Sequence, residues 1–159
     1  MDKQALVDAL RDVRFLHDID NDHLSQIAEL TRLRDVPEGE ILFREGDTPE
    51  DVFLVVSGQV ALDINAPNMG SKRIMEVGAG EILGWSALLE QTQMTATART
   101  LCPTSVAQIN TNELLRICKR NPRFGYELLR RTSLALATRL SATRHQLLDS
   151  FGSQMPPGM

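Results

Sequence analysis

Between Arg34 and Asn110 the chain never holds one hydrophobic period for more than a few residues. Short apolar or alternating runs occupy Ile41–Arg44, Val52–Val56, Gln59–Ile64, Arg73–Val77, Met94–Leu101 and Ser105–Ile109. Turn residues separate them at Pro37-Glu38-Gly39, Glu45-Gly46-Asp47, Ser57-Gly58, Asn68-Met69-Gly70 and Gly78-Ala79-Gly80. Such runs read as strands, and many short strands joined by glycine turns protect their edges by closing into a sandwich or jelly roll. The alternation predicts Val52, Leu54, Val56, Val60 and Leu62 in the interior, with the positions between them at the surface. Gly39-Glu40-Ile41-Leu42 recurs as Gly80-Glu81-Ile82-Leu83, too short a match for a repeat and read as two similar turns leading into strands.

On either side the period changes to that of a helix. Leu6, Leu10 and Val13, beside Ala5 and Ala9, make one amphipathic face, and Leu24, Ile27, Ala28 and Leu30 make a second, with Asp20 or Asp22 to cap it. Asp18, Asp20, Asp22 and Glu29 also fall at calcium-loop positions. His23 stands where such a loop needs glycine, so calcium is not expected. Thr111 is the predicted cap of a helix carrying Leu114, Leu115 and Cys118, and Asn121-Pro122 restarts the chain. The helix predicted from Pro122 to Ser150 would be roughly 40 Å long, more than a small domain covers with its own core. Along it Leu129, Ser133, Leu136, Leu140, Thr143, Leu147 and Ser150 step by four and three, a seam suited to a second helix. Leu129, Leu136, Leu140 and Leu147 are therefore the predicted interface of a parallel homodimer, against the alternative that this face packs on the β-region. The expected organisation is a helical segment over 1–33, a β-roll over 34–110, a helical segment over 111–150 and a disordered tail over 151–159.

Composition excludes several classes. With 159 residues, 42% hydrophobic and 24% charged, the chain suits one soluble domain that needs neither metal nor disulfide. Cys102 and Cys118, with His17, His23 and His145, form no zinc-ligand spacing, and reduced thiols in a cytoplasmic protein are expected. No segment is apolar and long enough for a signal peptide or a membrane span. The net charge of −4 hides a stretch from Arg116 to Arg144 that is +7 (Arg116, Lys119, Arg120, Arg123, Arg130, Arg131, Arg139 and Arg144 against Glu127), leaving −11 elsewhere. The commonest explanation of such a stretch is a solvated helix face, although it can also attract a polyanion or an anionic ligand.

The order Gly39-Glu40-Ile41-Leu42-Phe43-Arg44-Glu45-Gly46-Asp47, then Val52-Phe53-Leu54-Val55-Val56-Ser57-Gly58-Gln59-Val60, then Gly78-Ala79-Gly80-Glu81-Ile82-Leu83-Gly84 resembles the cyclic-nucleotide-binding domain. This family comprises the β-roll of catabolite-activator-type regulators, kinase regulatory subunits and nucleotide-gated channels. The resemblance runs from about Phe15 to about Gln146. It implies a mainly β, α+β jelly roll with N-terminal helices and a long C-terminal helix. In that family a phosphate-binding cassette starts a short helix with Gly-Glu, and a later Arg-small-Ala begins the next strand. Free N–H groups and the Arg hold the phosphate, and the Glu accepts from the ribose. Here the matching segment is 84–97. Gly84 is present, Trp85 replaces the Glu, Met94 falls where the Arg belongs, and no Arg or Lys occurs from Gly84 to Ala98. Losing two such contacts removes about two to four decades of affinity. A cyclic nucleotide is thus the ligand implied by resemblance, and ordinary cAMP or cGMP binding is not expected.

Ser86 and Thr95 keep hydroxyls in the cassette, and Trp85 could either stack on a planar ligand or fill the pocket. By resemblance the long helix covers the pocket with two small hydroxyl residues; Thr143 matches the first and Arg144 replaces the second. Arg139, Arg144 and Arg99 are the candidate anion-binding side chains. No nucleophile–base arrangement, paired carboxylates or phosphate loop appears, so the chain is not expected to be an enzyme. Too few residues follow Ser150 for a helix-turn-helix, so sequence-specific DNA binding is not expected of this chain unless it is a fragment of a longer regulator. The functional expectation is a stand-alone sensor of a small anionic or aromatic ligand, signalling through its C-terminal helix to an unknown protein partner. A ligand-free dimerisation scaffold is the alternative.

Overall fold

The computed structural model describes residues 2–154. In chain order it contains α1 (Lys3–Arg11), a 3-10 turn (Arg14–Leu16), α2 (Asn21–Leu30), β1 (Thr31–Val36), β2 (Ile41–Phe43), β3 (Asp51–Ser57), β4 (Gln59–Ala66), β5 (Gly70–Gly78) and β6 (Ile82–Leu83). A second 3-10 turn (Trp85–Ala87) precedes β7 (Thr97–Thr100), β8 (Thr104–Asn110), α3 (Thr111–Arg120) and α4 (Pro122–Gln154). The strands form two sheets, ordered β1-β8-β3-β6 and β2-β7-β4-β5. Their neighbours pair antiparallel throughout. This is the jelly roll with N-terminal helices and a long C-terminal helix that the glycine-punctuated runs predict.

The expected single interior is in fact two cores. Strand β3 buries consecutive residues, Val52, Phe53, Leu54 and Val55, while Val56 is only half-buried. Phe53 and Val55 point into the roll with Val60, Leu62, Val77, Leu83, Ala98 and Val106. Val52 and Leu54 point outward onto Leu16, Leu24, Ile27, Leu114 and Phe124. The positions assigned to the surface are buried because the helices cover the outer face of that sheet, so alternation along the strand separates two cores instead of core from solvent.

Local chemistry sets the helix ends. The Asp2 carboxylate accepts from Ala5 N–H at 2.7 Å, Asp20 from Asp22 N–H at 3.0 Å, and the Asn110 side chain from Glu113 N–H at 3.1 Å. Asn110, and not Thr111, is therefore the cap of α3; Thr111 is buried as the first helical residue. Glu29 pairs with Lys3 at 2.9 Å, so the acids at calcium-loop spacing serve different neighbours. Strand β1 escaped the sequence reading because Arg32, Arg34 and Asp35 interrupt its apolar residues, and β6 because it is two residues long. Of the expected strand Met94–Leu101 only Thr97–Thr100 is regular. Helix α4 continues through Gln154, so residues 151–154 of the predicted tail are helical, and 155–159 lie outside the described residues.

Gly58 makes the turn from β3 to β4 with φ +100°, and a Cβ there would lie 2.4 Å from Thr104 Oγ1 and 2.7 Å from Thr104 Cα. Thr104 cannot retreat easily, since its hydroxyl donates to the Cys102 carbonyl at 2.8 Å. Gly58→Ala is expected to destabilise the fold by about 2–4 kcal/mol in urea denaturation, combining backbone strain with overpacking.

Candidate functional site

The cassette segment begins at Gly84, whose φ of +77° turns the chain from β6 into the Trp85–Ala87 turn. Its open side faces two rings: an added Cβ would meet Phe43 at 3.3 Å and Phe53 at 3.4 Å. The far end is pinned by the turn between β2 and β3. Met94 N–H donates to the Asp47 carbonyl, and Gly46 N–H donates to the Met94 carbonyl, both at 2.8 Å. Glu45 N–H donates to Thr97 Oγ1 at 2.9 Å, fixing where β7 begins. Gly84, Trp85, Ser86, Met94 and Thr95, the residues matched to the cassette by resemblance, line one cavity with Phe43, Leu62 and Ala96.

The space they line is only about 30 Å³. That is one water's share of volume and about a tenth of the smallest usual ligand pocket. Met94 is 4% exposed and Ser86 3%. Met94 is thus buried at the position that the resemblance gives to the phosphate-binding Arg, and no cationic side chain lines this space.

Trp85 lines this space and also packs against the outer core on the helical side. The Arg139 guanidinium lies 4.4 Å from its ring centroid, and Arg139 Nη2 donates to the Ile82 carbonyl. Arg139 is 8% exposed. Burial pushes its pKa down to about 10, opposed by the nearby Glu81 carboxylate, so it remains charged at neutral pH. A desolvated cation over an indole face contributes about 2 kcal/mol. This stack joins the cassette to α4. Arg139, one turn before Thr143, is the residue that meets the cassette. The Thr143 hydroxyl donates to the Arg139 carbonyl at 2.9 Å, and Thr143 and Arg144 are exposed on α4. Arg99 is exposed on β7, where Ala98 and Thr100 take the inward positions. These three are not assembled with the cassette.

The basic stretch is not simply a solvated face. Arg131, 9% exposed, gives Nε to Glu127 at 3.0 Å and Nη1 to the Phe15 carbonyl at 3.0 Å. Arg130 binds the same carboxylate at 2.8 Å. Arg130 first, and then Arg131, holds Glu127 below the usual carboxylate range. Sequence reasoning missed the role of Arg131 as a tie to the N-terminal segment, because its acceptor is a backbone carbonyl with no residue-type signal.

The family profile described as cyclic nucleotide-binding domain matches residues 33–121. The chain belongs to that family. It is 25% identical over 135 residues to the CRP-like cAMP-activated global transcriptional regulator of Mycobacterium tuberculosis, covering 83% of this chain and 58% of the regulator. It is 28% identical over 111 residues to the cyclic nucleotide-gated potassium channel mll3241 of Mesorhizobium japonicum, covering 70% of this chain and 29% of the channel. The chain therefore spans less than two thirds of these relatives. Among solved structures, a cyclic nucleotide-binding domain from Methylobacillus flagellatus superposes with a TM-score of 0.80 at 20% identity, covering 99% of this chain and 86% of that one. A putative cyclic nucleotide-binding protein from Geobacter metallireducens gives 0.74 at 26% identity, covering 84% and 96%. The first of these matches covers α4 along with the roll. No helix among the described residues is long and apolar enough to cross a membrane.

Met94→Ala should cost about 2–5 kcal/mol in urea denaturation, because it empties a filled and tethered position. A cost within experimental error would show that Met94 does not fill the cassette.

Proposed function

We propose that this cyclic nucleotide-binding domain is a cytoplasmic regulatory sensor, not an enzyme and not an ordinary cAMP or cGMP receptor, which reports ligand state through α4 to a homodimer and a downstream protein partner. The observation that carries this reading is the Trp85–Arg139 stack, since any change at the cassette must displace a residue of α4. Bulk at Trp85 and Met94 stands where an ordinary cassette leaves room for the nucleotide. The small volume of the cassette cavity also favours a second reading, in which the domain binds nothing there and serves as a dimerisation scaffold.

The dimer part rests on exposure. Every residue from Leu140 to Phe151 is exposed, and among them Leu140, Leu147, Leu148 and Phe151 are each more than half exposed. Leu129, at the start of the predicted seam, is 56% exposed, whereas Leu136 is half-buried. The seam does not pack on the roll; that contact is made by Phe124, Leu128, Arg131, Thr132, Ala135 and Arg139. An isolated helical stretch this short is marginal in water, so a partner helix would supply its missing burial.

Leu140→Glu with Leu147→Glu should convert dimer to monomer in sedimentation at high micromolar concentration without lowering the melting temperature of the roll. Sedimentation of the unmodified protein as a monomer there would overturn the dimer. For the cassette, calorimetry should detect no cAMP binding by the unmodified protein. Trp85→Glu with Met94→Arg should raise affinity by about two decades by restoring a charge-assisted phosphate contact and a ribose acceptor. Tight cAMP binding by the unmodified chain would refute the reading of Trp85 and Met94.

A further inference from the structure

A second cavity, of about 400 Å³, lies outside the roll between α4, the Arg14–Leu16 turn and the turn leading into β6. It shares no lining residue with the cassette cavity; the Trp85–Arg139 stack separates them, Trp85 lining one and Arg139 the other. Its frame is tied at three points. Phe15 N–H donates to the Gly80 carbonyl at 2.9 Å, Arg131 Nη1 donates to the Phe15 carbonyl at 3.0 Å, and Arg139 Nη2 donates to the Ile82 carbonyl. The two ties from α4 are eight residues apart, so the groove between them spans roughly 12 Å of helix.

What this frame leaves unsatisfied is cationic. Arg139 is more than nine-tenths buried, and its Nη1 has no hydrogen-bond partner. The Arg14 side chain, which lines the same groove, makes no hydrogen bond or ion pair among the described residues and is exposed. Arg130 and Arg131 share the one carboxylate of Glu127, and Glu81 spends an oxygen on Gly78 N–H at 2.7 Å. With Glu81 and Glu127 counted against the four arginines lining the groove, two positive charges remain uncompensated. A buried guanidinium N–H without an acceptor is costly, and an oxyanion supplies both the acceptor and the counter-charge. The walls beside the arginines are apolar, with Phe15 and Leu134 the largest side chains. The volume falls in the usual small-molecule range of about 300–1,000 Å³.

We propose that this groove binds a small phosphate monoester, its dianionic phosphate held by Arg139 and Arg14 and its organic part lying against Phe15 and Leu134. This rests on the sensor reading and moves the ligand from the filled cassette to the other side of the Trp85–Arg139 stack. The exposed Arg14 fork and the unpaired, solvent-shielded Nη1 of Arg139 together offer more donors than the two oxygens of one carboxylate use, and suit a three-oxygen dianion.

The test is calorimetry on the full chain with AMP, inorganic phosphate and succinate. AMP is expected to bind at micromolar to submillimolar concentration, phosphate more weakly, and succinate not detectably. Arg14→Gln, at an exposed position that leaves the fold intact, should weaken AMP about tenfold. Arg139→Lys, which keeps the charge and loses the fork, should weaken it further, with circular dichroism confirming the fold. The Arg14 result decides should the Arg139 variant unfold. Absence of heat with AMP up to 10 mM, equal binding of succinate, or unchanged affinity in Arg14→Gln would each overturn the proposal. Sedimentation separates this inference from the dimer reading: a dimer that ignores AMP loses only the groove, and a monomer that binds AMP loses only the dimer.

Discussion

Burial of the β1-β8-β3-β6 sheet on both faces is the constraint on which the rest of this structure depends. Inside, Phe53, Val55, Leu83 and Val106 meet the opposite sheet; outside, Val52, Leu54, Ile82 and Ile109 require cover. Apolar surface of that extent cannot face water without losing the main favourable term in folding. The helices are therefore part of the fold and not appendages. Phe124, 1% exposed and edge-on to His23 with ring centroids 5.1 Å apart, locks α4 to α2 on that outer face. Once this contact is made, the direction of α4 is set, and with it the residues that reach the cassette.

The proposed function rests on how α4 crosses the roll. Apolar residues dock its first turns, and arginines dock the next: Arg131 on the Phe15 carbonyl and Arg139 on the Ile82 carbonyl and the Trp85 ring. A cation held by a carbonyl and an indole is a weaker anchor than a packed Leu, because its remaining donor is unsatisfied. The contact between the roll and α4 is thus polar and under-satisfied, the kind of contact whose balance a small charged ligand can shift. Beyond Arg139 the residues of the helix through Phe151 are exposed, its leucines among them.

Much of this was legible in the order of residues. The glycine-separated runs specify short strands, since turns with positive φ are built from glycine at Gly39, Gly46, Gly58 and Gly80. The 3.6-residue period of α2 and α3 is equally direct, and the cassette could be located from Gly84 alone once the preceding blocks were recognised. The strand β1 and the cap Asn110 were not legible, because edge pairing and the choice between adjacent polar residues depend on what the neighbouring chain presents.

The sequence by itself determined the roll, the helical ends, the absence of a cation between Gly84 and Ala98, and a leucine seam too long for one domain. Those properties are local: they need only turn chemistry, hydrophobic period and residue type. The tertiary structure decided that β3 serves two cores, that Arg139 and not Thr143 reaches the cassette, and that Arg14 faces the same groove as Arg139. Arg14 and Arg139 are brought to one cavity by chain segments 125 residues apart in the sequence, docked independently on one sheet. No periodicity or motif encodes that meeting, because it follows from the crossing of α4 over the roll, which is set by the shape of the packed side chains beneath it.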